Sequence, residues 1–241
     1  MKVYSKTDVG RRRTVNQDAY LTGEFDNGAV YAVVCDGMGG AKGGNIASEK
    51  AATIISDYIV KSYSPKMSSV SVENLLRAAV ESANTEVFEL ARSDEQYEGM
   101  GTTVVVVLVI DNLAHIVHVG DSRAYFIGNG TIERITEDHS MVQFMVNNGE
   151  ISESEAKHHP KKNIITRAVG AEETVLCDYD IVLKPENTSI LVCTDGLSNC
   201  VDEQVMLQVI TSGDGEDRVE RLIELANNAG GPDNITAVLI S

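Results

Sequence analysis

Cysteine is scarce in this sequence of 241 residues, and its pattern excludes two kinds of structure. The four cysteines form no C-x-x-C pair, which argues against a structural zinc site. A chain this long and this poor in cysteine is not typical of a disulfide framework. Cys35 and Cys193 each end a strongly apolar run, where a reduced cysteine behaves as a small hydrophobic side chain.

Long apolar runs and linkers are also missing. No run approaches the roughly 20 residues that a helix needs to cross a bilayer, and residues 1–6 lead into no signal-peptide core. The four prolines are scattered, and the sequence shows no internal repeat, low-complexity tract or Pro/Gly/Ser-rich linker. We therefore expect a cytoplasmic protein with a single domain over residues 1–241 and no membrane partner.

Basic residues are in deficit, with 20 Lys and Arg against 36 Asp and Glu and a formal net charge of −16. Such a chain repels nucleic acid unless a local basic patch intervenes, so we expect no nucleic-acid partner, despite the short run Arg11-Arg12-Arg13. The acidic excess is explained by solubility alone, or by carboxylates grouped to hold divalent cations. The positions of the carboxylates have to decide between these interpretations.

Apolar runs rich in β-branched residues predict strands, and apolar positions at helical spacing predict helices. The predicted strands are 30–35, 102–110, 113–119, 177–183, 189–193 and 235–240, and the helical faces lie in 47–58, 75–90 and 219–226. Strands and helices come in blocks rather than in single alternation. This order favours an α+β fold with mainly antiparallel sheets and helices packed outside them.

Four predicted strands carry an aspartate at one end: Asp36, Asp121, Asp195 and Asp233. Each one alone is most simply interpreted as a turn residue. If the strands lie side by side, however, the four carboxylates gather at one edge and repel each other unless cations neutralise them. Oxygen-rich sites of this kind suit Mg²⁺ or Mn²⁺. Because Gly37 lets the backbone approach closely, its carbonyl is a further candidate ligand.

Two such ions, roughly 3.5–4 Å apart, can activate a bridging water and clamp a phosphoryl group. The order of motifs resembles the metal-dependent protein phosphatase (PPM) family, the protein phosphatase 2C group, in its compact bacterial form. The motifs that carry the resemblance are GRRRTVNQD at 10–18, DGMGG at 36–40, GDSR at 120–123 with DHS at 138–140, TDGL at 194–197 and GPDNIT at 231–236.

The resemblance implies a four-layer α-β-β-α sandwich with two central, mainly antiparallel sheets flanked by helix pairs. It implies an enzyme that hydrolyses phosphoserine and phosphothreonine on proteins through a metal-bridging hydroxide, without a phosphoenzyme. The expected partners are phosphorylated proteins, including an opposing serine/threonine kinase, and the expected oligomeric state is a monomer. Two alternatives remain open: a catalytically silent binding or regulatory module, and a hydrolase of small phosphate esters.

The resemblance also implies which residues hold metal. Asp36, Asp195 and Asp233 would bind one core ion, and Asp36 with the Gly37 carbonyl would bind the second, each being Mn²⁺ or Mg²⁺. Asp121 with Asp195 would hold a third, weaker ion of the kind found in bacterial members of the family.

Two further residues of the first motif receive roles by resemblance. Arg13 would bind the substrate phosphate, and Asp18 would hold metal-bound waters. Many eukaryotic members carry histidine as a candidate general acid where this chain has Met38, and many relatives carry glutamate where it has Gln17. A metal-bound water is then the first candidate for the acid.

Residues 141–170, here called the flap segment, correspond to a mobile flap in family members. The pattern from Ser152 to Glu155 predicts a capping box, and the basic residues Lys161 and Lys162 lead to the hypothesis that the flap segment shapes protein-substrate choice. Outside it, His118 is interpreted as structural, and His139 has either a structural role or one near the active site.

Overall fold

The computed structural model describes the backbone of residues 1–213 and 215–241, and their side chains except those of residues 40–42. The strands are β1 (Val3–Asp8), β2 (Asp18–Glu24), β3 (Val30–Met38), β4 (Gly101–Thr102), β5 (Val104–Ile110), β6 (Leu113–Val119), β7 (Arg123–Gly128), β8 (Thr131–Arg134), β9 (Asp178–Leu183), β10 (Ser189–Cys193) and β11 (Ile235–Ile240). The helices are α1 (Gly40–Ser62), α2 (Ser69–Ser93), α3 (Met141–Asn147), α4 (Glu153–Ala156), α5 (Asp195–Ser198), α6 (Glu203–Ser212) and α7 (Gly215–Asn228).

Two antiparallel sheets form the centre of the molecule. Sheet I has the strand order β1-β11-β10-β7-β8, and sheet II has the order β2-β3-β5-β6-β9, with the short β4 paired to the end of β3. Small and β-branched side chains from both sheets meet in a fully buried layer, among them Val34, Val105, Ile116, Val192 and Val238. Because both faces of these strands are covered, their sequences are almost continuously apolar.

Helices cover the outer faces of the two sheets. α1 and α2 pack on sheet II, where Ile55, Leu76 and Val106 belong to one buried outer core. α6 and α7 pack on sheet I, where Met206 and Leu222 lie in a second outer core. This layering confirms the predicted α-β-β-α sandwich.

Besides a start one residue later in β9, the predicted strand bounds needed correction in two places. The run 102–110 is divided at Thr103, because β4 pairs with the last residues of β3, whereas β5 pairs with residues 30–34. In turn, β3 continues to Met38 instead of ending at residue 35.

The strands β1, β2, β7 and β8 were not predicted. β1, for example, is half-buried along its whole length and has no apolar run.

Within the flap segment, the predicted capping box at the start of α4 is present, with the Ser152 and Glu155 side chains each accepting a hydrogen bond from the other residue's backbone N–H group. Among the residues described, no helix combines the length and apolar character needed to cross a membrane.

Candidate active site

The four strand-end aspartates lie at the same edge of the sandwich, because antiparallel neighbours place the end of one strand beside the start of the next. Asp36 is near the end of β3, directly opposite Asp18 at the start of β2. Asp121 follows β6, Asp195 follows β10, and Asp233 precedes β11. The register of the strand pairs therefore converts four distant sequence positions into one carboxylate cluster.

This cluster lines a cleft of about 570 Å³. The cleft is also lined by Gly37, by Met38, by Arg13, and by Asn163 and Ile165 of the flap segment. The residues assigned to metal and phosphate by resemblance thus share one open cleft, and the flap segment forms part of its wall.

The electrostatics of the cleft show a shortage of positive charge. Burial raises the pKa of Asp36 well above its ordinary value, and the neighbouring carboxylates, Asp18 first, raise it further. Burial likewise raises the pKa of Asp121 to about 7, with Asp195 adding to the effect. For Asp195, burial and then Asp233 raise the pKa to about 6. A bound cation would relieve both the lost solvation and the repulsion.

Asp18 is the most buried carboxylate among the described residues, with 7% exposure. Its Oδ2 accepts hydrogen bonds from the hydroxyls of Thr236 at 2.7 Å and Thr194 at 2.8 Å. Burial raises its pKa to about 7 even though these hydrogen bonds act to lower it. Its Oδ1 is buried and has no partner among the residues that the structure describes. An acceptor in this position fits a water carried by a cation in the cleft.

Arg13 forms an ion pair with one member of the carboxylate cluster. Its Nη2 donates to Asp233 Oδ2 at 2.8 Å, and this hydrogen bond raises the pKa of the guanidinium. The Arg13 side chain is 51% exposed, so solvent and a substrate phosphate can both reach it. A metal ion on Asp233 would compete with Arg13 for this carboxylate and leave the guanidinium available for another anion.

Asn234 positions the loop that carries Arg13. Its Nδ2 donates to the carbonyls of Val9 at 2.9 Å and Val15 at 3.0 Å, and its Oδ1 accepts from the Gln17 N–H at 2.8 Å. Three backbone contacts from one buried amide hold both ends of the loop against the start of β11. This role was not found from the sequence, although Asn234 stands inside the GPDNIT motif.

Thr103 links two of the metal-site candidates. Its hydroxyl accepts from the Asp36 N–H at 3.0 Å and lies 2.7 Å from the Ser122 hydroxyl, and its own N–H donates to the Asp36 carbonyl at 2.9 Å. The break between β4 and β5 therefore joins β3 to the loop that carries Asp121. Thr103 gave no signal in the sequence, because a threonine in a valine-rich run is typical of any strand.

Gly37 is placed where no side chain fits. A Cβ atom built there would lie 2.0 Å from the Gly44 carbonyl oxygen, so α1 can approach the end of β3 only beside glycine. The Gly37 N–H donates to the Gln17 carbonyl at 3.0 Å. The glycine is therefore required for packing between β3 and α1, and the role of the Gly37 carbonyl as a metal ligand stays a prediction.

Comparisons with known proteins agree with this fold and this cleft. A family profile described as protein phosphatase 2C matches residues 9–237. The chain belongs to the protein phosphatase 2C family. It is therefore a protein phosphatase, as the resemblance predicted.

Relatives in the family extend over nearly the whole chain. Protein phosphatase PhpP of Streptococcus pneumoniae is 37% identical over 244 aligned positions, covering 100% of this chain and 97% of PhpP. The structure of the S. agalactiae serine/threonine phosphatase superposes with a TM-score of 0.91 at 36% identity, covering 99% of this chain and 98% of that one.

One structural relative bears on the metal content. The catalytic domain of the serine/threonine protein phosphatase PstP, in complex with two manganese ions, has a TM-score of 0.86 and 29% identity, covering 99% of this chain and 96% of that one. Members of this family use divalent metals. The oxygen-only donor set of the present cleft, together with the unpartnered Asp18 Oδ1, fits such ions.

Proposed function

We propose that this protein phosphatase hydrolyses phosphoserine and phosphothreonine in other proteins, using divalent ions held by the carboxylate cluster. The observation that carries the proposal is the convergence of Asp36, Asp121, Asp195 and Asp233 on one open cleft that Arg13 also lines. A catalytically silent module would have no need to retain four mutually repelling carboxylates and an exposed arginine in the same place.

We assign the donor set to the ions as the resemblance implied. Asp36, Asp195 and Asp233 would hold one Mn²⁺ or Mg²⁺, Asp36 with the Gly37 carbonyl the second, and Asp121 with Asp195 a weaker third. When bound, the two core ions would supply Lewis acidity and a bridging hydroxide that attacks phosphorus in line, so that no phosphoenzyme forms.

The chain's own residues supply binding and orientation. Arg13 would use its planar guanidinium to donate two hydrogen bonds to the phosphoryl oxygens, once Asp233 is occupied by metal. Asp18 would accept a hydrogen bond from a metal-bound water at its unpartnered Oδ1, while Thr194 and Thr236 hold Oδ2 in place. Met38 lines the cleft and cannot donate a proton, so the leaving oxygen would take its proton from water.

The decisive experiment measures phosphate release from a phosphothreonine peptide with and without Mn²⁺. We expect metal-dependent release from the wild type, near-complete loss in Asp195→Asn, and wild-type release in Asp26→Asn, where an exposed turn aspartate is changed. Release that survives in Asp195→Asn would refute the site. No release from folded, metal-loaded wild type would favour the silent module, whereas release from p-nitrophenyl phosphate but from no phosphopeptide would favour a small-ester hydrolase.

The flap segment is the proposed determinant of protein-substrate choice. Asn163 and Ile165 line the cleft directly, and Lys161 and Lys162 are exposed beside them. The proposed phosphoprotein substrates include a serine/threonine kinase whose action the phosphatase would oppose. Exchange of residues 141–170 with a relative's segment should change the ranking of phosphoprotein substrates and leave p-nitrophenyl phosphate turnover in place.

A further inference from the structure

His139 makes a paired contact with Gly120, the residue before Asp121. The Gly120 N–H donates to His139 Nδ1 at 3.1 Å, and the His139 N–H donates to the Gly120 carbonyl at 2.9 Å. Gly120 has a φ of +102°, and a Cβ atom there would lie 2.6 Å from a Thr103 side-chain carbon. A glycine in this conformation has little stiffness of its own, so the loop depends on outside contacts for its position.

The contact with Gly120 determines the tautomer of His139. Because Nδ1 accepts a backbone N–H, the ring proton is on Nε2, which can then donate to Asp178 Oδ2 at 3.2 Å. Burial lowers the pKa of His139, with His118 adding to the effect, so the ring is neutral. The Arg167 guanidinium donates to Asp178 Oδ1 at 2.8 Å.

Arg167 belongs to the flap segment, and so does the backbone that crosses His139. The Thr166 N–H donates to the His139 carbonyl at 2.8 Å, and the Met141 N–H donates to the Ile164 carbonyl at 2.8 Å. The chain thus leaves His139 into the flap segment and returns past it. Gly120, His139, Asp178 and Arg167 form a continuous series of contacts from the metal-site loop to the end of the flap segment.

The same residues could be taken for a metal centre, since one ring nitrogen each of His118 and His139 and one oxygen of Asp178 lie within 4.8 Å of one another. The geometry disfavours this interpretation. With Nδ1 accepting from Gly120, His139 Nε2 carries the proton and has no lone pair to offer, and the Arg167 guanidinium on Asp178 is a competing cation. His118 stacks on His139 with ring centroids 4.6 Å apart, which adds rigidity to the ring.

We propose that His139 is a positioning residue that holds Gly120, and through it Asp121, and that Asp178 and Arg167 couple this contact to the flap segment. The functional part of the inference rests on the proposed role of Asp121 as a ligand of the weaker ion. A flap segment pulled away by a substrate would then weaken the hold on Asp121.

The first test uses variants at half-exposed positions, which should leave the fold intact. Arg167→Met and Asp178→Ala should each speed hydrogen exchange of the Gly120 amide in the metal-free protein about threefold to tenfold, the change expected for one weakened hydrogen bond. Arg221→Met, which removes an exposed arginine paired to Glu224 on α7, is the matched control and should leave this exchange unchanged.

The same variants should raise the Mn²⁺ concentration for half-maximal phosphate release by a similar factor, with kcat at saturating metal close to wild type. Arg167→Lys, which keeps the charge beside Asp178, should bring the Gly120 exchange rate and the Mn²⁺ requirement part of the way back to their wild-type values. Unchanged Gly120 exchange in both variants would overturn the proposal. Because that exchange is read without metal or substrate, an inactive enzyme would count against the proposed function and not against this contact.

Nitrogen NMR of His139 gives a second, independent readout. We expect a neutral ring with its proton on Nε2 in the wild type, and the same form in Arg221→Met. A proton on Nδ1 would overturn the proposal, and so would loss of the Nε2 proton on addition of Zn²⁺, which would reveal a metal centre instead.

Discussion

At the residue scale, Asp18 and the members of the carboxylate cluster are held in different ways. Asp18 is fixed by two threonine hydroxyls, Asp36 is braced through its backbone by Thr103, and Asp233 is paired with Arg13. Only the last of these contacts joins opposite charges, and it lies where a substrate phosphate can compete for the arginine. Arg13 is therefore the residue whose function can be separated most cleanly from the integrity of the cluster.

Replacement of Arg13 by alanine should impair substrate binding and leave metal binding intact. Loss of a charge-assisted hydrogen bond is worth about 1.5–3 kcal/mol, so kcat/KM for a phosphothreonine peptide should fall about tenfold to a hundredfold. Steady-state kinetics and Mn²⁺ calorimetry measure the two effects. Arg12→Ala, at an exposed neighbour, is the control, and loss of metal in Arg13→Ala would show that the arginine is structural instead.

At the element scale, the long helix α2 holds the segment that follows the flap. The buried Asn84 accepts from the Gly170 N–H at 2.7 Å and donates to the carbonyls of Glu172 and Glu173 at 3.0 and 3.1 Å. Gly170 has a φ of +85° and packs against Val87, where a Cβ atom would lie 2.2 Å from a methyl carbon. The helix therefore fixes the point where the chain leaves the flap segment for β9.

Replacement of Asn84 by alanine should destabilise the protein by about 2–4 kcal/mol, because the buried Gly170 N–H and two partly buried carbonyls lose their partner. Denaturant unfolding of the metal-free protein measures the change. Thr85→Ala, one residue away on the exposed side of α2, should cost less than about 1 kcal/mol. Equal stability of Asn84→Ala and the wild type would mean that the segment after the flap is held by other contacts.

At the scale of the whole molecule, the cluster lies where the edges of both sheets meet. Asp36 and Asp18 face each other within sheet II, and Asp18 is hydrogen-bonded to Thr194 and Thr236 of the sheet I side. Like charges opposite each other in a strand pair destabilise it. The site is thus a source of strain in the metal-free fold and a source of stability once cations are bound.

Metal should therefore reverse the stability order of the wild type and Asp36→Asn. With a chelator, the variant should unfold at a higher temperature, because one buried charge opposite Asp18 is gone. With Mn²⁺ at about 100 times its Kd, the wild type should gain about 2.7 kcal/mol, and the variant much less. Thermal unfolding of both proteins and of Asp26→Asn in the two buffers measures this, and a wild type that manganese fails to stabilise would contradict a metal site at Asp36.

By itself, the sequence determined the fold class, the family and the set of strand-end aspartates. Each of these signals is local, since an apolar strand and the aspartate that ends it are covalent neighbours, as in residues 189–195. The strand β1, by contrast, has no apolar run, and Thr103 lies inside the apolar run 102–110, where nothing in the sequence distinguishes it. Periodicity detects burial along one element and gives no information on which elements become neighbours.

The tertiary structure alone decided how the cluster is supported. Asp18 meets its two threonines across 176 and 218 positions of sequence, and Arg13 meets Asp233 across 220. His139 reaches Gly120 and the flap segment through contacts that no spacing rule describes. The reason is physical, because antiparallel register and the packing of two sheets determine which hydroxyls, amides and rings come into contact. Single polar side chains have no periodic pattern in the sequence from which those contacts could be predicted.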